Sequence, residues 1–307
     1  MINFKPEGSL YTTDENKYYL ENIENLREAI HNKKILEAKA VVCDVEHNLI
    51  VDLHCCRGFI KREDGAVGID DGTTKDIALL TRVNKIICFR ATDIVTENGE
   101  TRVQLSRKLA QIDCLNRHLN RLKAGSVIPA KVTHFEQFGA FVDIGCGLPS
   151  LIPIDAISVS RIAHPAERFS IGQDIKVIYK GKTDEKFLMT HKELLGTWSE
   201  NADKFNVGET VTGIVRSIEE YGVFIELAPN LVGLAEPSEI VKVGQEVTVF
   251  IKSIIPDKMK VKLIIVATSD VKASPSPLNY FFDGDYMQGW EYSTPASEKV
   301  IITSFLV

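Results

Sequence analysis

No stretch of this chain is long and apolar enough to cross a bilayer, and no cysteine pair stands at the CxxC spacing of a zinc frame or redox motif. Cys43, Cys55, Cys56, Cys88, Cys114 and Cys146 are scattered except for one adjacent pair, which cannot easily bridge itself. With no secretory leader in the sequence, buried free thiols in a reducing cytoplasm are the expectation. His54 beside Cys55 and Cys56 has the wrong spacing for a four-ligand zinc site, so no metal is expected. Also missing are a P-loop, a nucleophile elbow, a GxGxxG after a strand, and carboxylates paired at one place. The chain is therefore read as a non-enzyme without a cofactor. A basic excess is lacking too: 36 Lys and Arg against 42 Asp and Glu leave a net charge of −6. That argues against binding a polyanion by bulk charge, although net charge says nothing about fold.

What the chain does have is a block written twice. FGAFVDIG at Phe138–Gly145 recurs as YGVFIEL at Tyr221–Leu227, 83 residues on, and each copy follows a glycine-led strand at the same distance, GSVIPAKV from Gly125 and GETVTGIV from Gly208. Self-similarity at a fixed offset marks a repeated structural unit, here roughly 60 to 75 residues. Strand alternation puts Ala140, Val142 and Ile144 on the apolar face and Phe141 and Asp143 on the other. The second copy places Val223, Ile225 and Leu227 inward, with Phe224 and Glu226 outward. An aromatic ring beside a carboxylate on the wet face, twice over, asks for a reason beyond packing.

The rest of the chain divides around these blocks. Tyr19, Ile23, Leu26 and Ile30 give residues 1–33 one short amphipathic helix. Residues 34–110 read as β, with an Asn-Gly hairpin signal at Asn98-Gly99. A linker helix over 111–123 extends a stripe of Leu109, Ile112, Leu115, Leu119 and Leu122, which is read as interdomain packing. Further β units fill 124–195 and 205–267, joined by a linker helix at 196–204. The 268–307 extension carries Tyr280, Phe281, Phe282, Tyr286, Trp290 and Tyr292, read as a small core closing the C-terminus, with a strand in VIITSFLV. Short strands with glycine turns favour closed barrels, which leave no exposed edges. The predicted fold is all-β: three tandem five-stranded OB-fold barrels joined by linker helices, plus the small extension.

The motifs then become specific. GSVIPAKV, FGAFVDI, SLIPI and IGQDI in the middle unit, and GETVTGIV, YGVFIEL, GLAEP and VGQEV in the third, resemble the ribosomal protein S-one RNA-binding domain. LIVDL (49–53), RGFIKRE (57–63) and TRVQLSRK (101–108) look like a degenerate first copy. The arrangement as a whole resembles the short S-one-like RNA-binding proteins of Gram-positive anaerobic bacteria. The resemblance implies base stacking on Phe138 and Phe141 in the middle unit and on Tyr221 and Phe224 in the third. The family's strand-3 histidine is absent, with Pro153 and Glu236 in its place, and its last-strand arginine becomes Lys186 and Lys260, while the first unit keeps Arg102. The first unit has His47 and Ile50 where the rings belong. Between strand 3 and the Gly-Gln turn, only the middle unit has a loop with Arg161, His164 and Arg168, cations that would follow a phosphate backbone together with Lys131. The best site is therefore expected in the middle barrel.

The function these features imply is sequence-tolerant binding of single-stranded RNA, with mRNA and the small ribosomal subunit as partners and no membrane. Two other readings stay open: an RNA-binding role in turnover or transcription, and a protein-interaction scaffold in which the barrels are spacers. Phe141 and Phe224 would then pack against a neighbouring barrel or helix.

Overall fold

The computed structural model describes residues 4–97, 100–184, 186–272 and 277–306. They form two compact units, Met1–Leu122 with Asp143–Pro149, and Lys123–Val142 with Ser150–Val307.

In the first unit, β1 (Ile35–Cys43), β2 (Leu49–Asp52), β3 (Arg57–Ile60), β4 (Ile86–Glu97) and β5 (Glu100–Ser106) close a barrel in the order β1-β2-β3-β5-β4. Strands β3 and β5 pair in parallel, and β4 and β5 form a hairpin in which Glu97 faces Glu100. The Asn98-Gly99 turn itself lies outside the described residues. Alternation fills the barrel: Leu36, Ala38, Ala40, Leu49, Val51, Ile87, Phe89, Val103 and Leu105 are buried together. The N-terminal segment is two helices where the periodicity predicts one, α1 (Asp14–Leu20) and α2 (Ile23–His31). Asn22 separates them by accepting the Asn25 N–H at 2.9 Å, an N-cap that starts a new helix. A one-turn helix, α3 (Ile77–Leu80), precedes β4.

After β5 comes α4 (Arg107–Arg117), and it turns a different face inward from the one the leucine stripe predicts. Arg107, Ala110, Gln111 and Cys114 are buried, while Leu109, Ile112 and Leu115 are half-buried. Polar anchors set this rotation. Arg107 Nε donates to Glu7 at 2.7 Å, and Gln111 accepts from Val67 N–H at 2.9 Å and donates to the Cys146 carbonyl at 3.1 Å. A buried guanidinium or amide must keep its partners, whereas a leucine tolerates partial exposure.

The second barrel comprises β6 (Val127–Glu136), β7 (Gly139–Asp143), β8 (Pro149–Pro153), β9 (Asp174–Thr183) and β10 (Lys186–Thr190), closed as β10-β8-β7-β6-β9. The third repeats the plan with β11 (Thr210–Glu219), β12 (Gly222–Ala228), β13 (Leu231–Ala235), β14 (Gln245–Ile255) and β15 (Lys260–Lys272). The linker helix expected over 196–204 is present as the short α5 (Trp198–Ala202), and a separate 3-10 turn at Lys192–Leu195 precedes it. Gly196 separates the two at φ 83°, where a Cβ would also strike the Phe281 ring at 2.7 Å.

The C-terminal aromatics do form a core. Met287, Trp290, Tyr292 and Phe305 are buried in one cluster with Ile178 and Leu194 of the second-barrel region and Val215 and Ile225 of the third barrel, whereas Tyr286 is exposed. Strands β16 (Gly289–Glu291) and β17 (Ile302–Ser304) pair within this extension. The Met287 N–H also donates to the Gly125 carbonyl at 2.8 Å.

Candidate nucleic-acid interface

Each ring pair is built by a glycine between two strands. A Cβ on Gly139 would lie 2.3 Å from the Ile152 carbonyl, and one on Gly222 2.4 Å from the Ala235 carbonyl, so both positions require glycine for the third strand to approach. The residue before each glycine is thereby thrown outward: Phe138 is 57% and Tyr221 67% exposed. Two residues after the glycine, Phe141 and Phe224 lie half-buried on the outer face, because Ala140, Val142, Val223 and Ile225 take the inner one. The pairs meet edge to face with nearly the same geometry, Phe138–Phe141 at 6.1 Å and 82°, Tyr221–Phe224 at 6.0 Å and 89°. Among its described residues the first barrel has no such pair: His47 occupies a turn at φ 64°, and Ile50 faces Phe59 across the sheet.

The carboxylates expected beside the rings on the wet face are buried. Asp143 is 4% exposed and accepts N–H bonds from Glu7, Gly145 and Gly147 at 2.7, 2.8 and 3.0 Å. Burial, together with the nearby Glu7 carboxylate, pushes its carboxyl up to about 7 against those donors. Glu226, 2% exposed, lies between two guanidiniums: Arg168 reaches both oxygens at 2.8 Å, and Arg216 reaches them at 2.8 and 3.0 Å. Ser160 Oγ donates to the same carboxylate, and Arg216 also pairs with Glu167. Burial works to raise this carboxyl, but the two guanidiniums outweigh it and hold the group down to about 2. Arg168 is therefore not a phosphate-facing cation. Its side chain is fully buried, and it fastens the second barrel's long loop to the third barrel. Asn230 adds to the same junction, accepting from Val159 N–H at 2.9 Å and donating to the Lys192 and Gly196 carbonyls at 2.8 Å each.

The other expected cations divide. Arg161, Lys186 and Lys260 are exposed, and none is ion-paired among the described residues. Lys131 is half-buried and shares its charge with Asp174 at 3.4 Å. His164 uses Nδ1 to accept the Ala166 N–H at 3.1 Å and sets its ring edge-on to Phe135 at 5.8 Å. Arg102 lies on β5 opposite Arg57 and Val95.

One ring was missed. His134, near the end of β6, is exposed and stacks on Phe141 with centroids 4.4 Å apart and planes 5° off parallel. Continuing the buried series Ile128, Ala130, Val132 by strict alternation points residue 134 inward. In the equivalent strand the register shifts between Val215 and Ser217, a bulge that puts Ser217 opposite Phe224. The sequence pattern carries no mark of such a bulge, so alternation alone does not point to His134.

Residues 121–186 match the family model described as the S1 RNA binding domain. Over 282 residues the chain is 30% identical to small ribosomal subunit protein bS1 of Staphylococcus aureus, covering 85% of this chain and 69% of that protein. It is 31% identical over 263 residues to the bS1 protein of Staphylococcus epidermidis, covering 80% and 64%. A solved multidomain protein with nucleic acid binding domains from Streptococcus pneumoniae matches 76% of this chain and 73% of its own, at 12% identity and a TM-score of 0.26.

Proposed function

Since the chain belongs to the family of small ribosomal subunit protein bS1, we propose that it binds single-stranded RNA by stacking bases on the rings of its second and third barrels, with mRNA at the small ribosomal subunit as the working ligand. The observation that carries this reading is the repeated edge-to-face ring pair, near 6 Å and close to perpendicular in both barrels, with one ring more than half exposed in each. Every base has a π face, so stacking of about 1–3 kcal/mol per base supplies affinity without sequence preference. Arg161, Lys186 and Lys260 are the phosphate contacts of this reading, with Lys131, Arg102 and the Nε2 edge of His164 in lesser roles. A net charge of −6 suits a binder whose contacts are local rather than a bulk polycation. The role is binding rather than catalysis, and a protein working on ribosomes acts in the cytoplasm.

The test is the paired change Phe138→Ala and Phe141→Ala, titrated with a fluorescent oligoribonucleotide at moderate salt. Affinity is expected to fall by about tenfold or more, with the thermal melt unchanged. Wild-type affinity in that variant would remove stacking from the account. Co-sedimentation with small ribosomal subunits over a salt series separates a ribosomal role from one in RNA turnover or transcription.

A further inference from the structure

The second barrel differs from the third by a ring. His134 lies flat on Phe141, whereas Ser217 takes the equivalent place beside Phe224. The histidine is held by more than the stack. The Thr133 hydroxyl donates its single proton to the Phe141 carbonyl at 3.0 Å. Its 3.2 Å contact with His134 Nδ1 must therefore run the other way, with Nδ1–H as donor. This strap selects the tautomer and leaves Nε2 as the uncommitted nitrogen. An unsupported surface side chain loses rotamer freedom when a ligand orders it, a cost of binding that a strapped and stacked ring has largely met already.

The geometry also closes a surface. A parallel ring at 4.4 Å leaves no space for a base between His134 and Phe141. A base arriving from that side meets the imidazole, not the phenyl. We infer that His134 is a base-stacking surface of the second barrel, backed by Phe141, so that its platform has three rings against two in the third barrel. The inference rests on the RNA-binding reading and deepens it. It places a histidine on the first strand of a barrel whose third strand carries Pro153 where the family resemblance leads one to look for one.

The experiment uses the full chain and a ten-nucleotide oligoadenylate, with His134→Ala, His134→Phe, Thr133→Val and the Phe138→Ala/Phe141→Ala pair measured side by side. Losing one stacked base should weaken His134→Ala by about fivefold or more. Phenylalanine keeps the face without the nitrogen and is expected within about twofold of wild type, while Thr133→Val, which frees the ring without removing it, falls between the two. Binding by His134→Ala as tight as wild type, or tighter because Phe141 has been uncovered, overturns the inference, as does a His134→Phe variant no better than alanine. Each of these outcomes differs from failure of the RNA reading itself, in which the Phe138→Ala/Phe141→Ala pair also binds like wild type.

Discussion

Glu226 and Phe224 stand two apart on one strand, point to the same face, and end in different surroundings: the ring is half-buried and the carboxylate sealed between Arg168 and Arg216. Alternation assigns the face correctly but cannot say what covers it. The covering groups, Ser160 and Arg168, lie 66 and 58 residues earlier in the chain. Asp143 was misread for the same reason, since its donor Glu7 is 136 residues away. Removing one member of a buried ion cluster strands the others, at a cost of about 3–5 kcal/mol. Glu226→Gln is accordingly expected to lose about that much stability in urea unfolding. The pH dependence carries a definite sign. The folded carboxyl sits at about 2 against an ordinary value of 4.5. Between those values the unfolded chain holds the proton and the folded one does not, so stability rises with pH. The contribution is complete above the ordinary value and is lost as pH falls through the folded one. Melts of Glu226→Gln across that window should lack this part of the slope.

At the scale of elements, the strands of all three barrels were legible because period-2 burial and glycine turns are local signals. Ala140, Val142, Val223 and Ile225 lie inside as their alternation requires. The helices were less legible. The rotation of α4 is chosen by Arg107 and Gln111 finding distant partners, and the split between α1 and α2 turns on a single Asn22 cap. The C-terminal extension was readable as a core from its aromatic content, but its role as a shared wall was not. Tyr292 reaches the Asn230 carbonyl at 2.7 Å and accepts the Trp198 N–H at 3.0 Å, so the extension packs on the junction that holds the second and third barrels. Trp290 is buried in that core at 7% exposure. Trp290→Ala is expected to destabilise by about 3–5 kcal/mol, read as a lowered melting temperature. A melting curve superimposable on wild type would show the extension to be an appendage that the barrels do not need.

Over the whole molecule, the repeat made the second and third barrels legible, the strand pattern and the family resemblance supplied the first, and the missing rings at His47 and Ile50 marked that one as different in kind. Both ring pairs fall within one compact unit, Lys123–Val142 with Ser150–Val307, joined by the Arg168–Glu226–Arg216 cluster. On the proposed reading, a strand engaging one platform would present itself to the other at high effective concentration, a gain of about 10²–10⁴ in affinity without any new contact. Short oligoribonucleotides should bind chiefly to the second barrel, and affinity should rise in a step once the strand reaches both platforms. Tyr221→Ala with Phe224→Ala should remove the step while leaving short-strand affinity within about twofold, because the stronger platform is untouched. Each phosphate neutralised contributes about 0.7 to the salt slope for a single strand, so Lys186→Ala should lower the slope by about that amount at every length. A smooth length series, unaltered by removing the third barrel's rings, would mean that this barrel serves only to position its neighbour, and the RNA path would then end on the second.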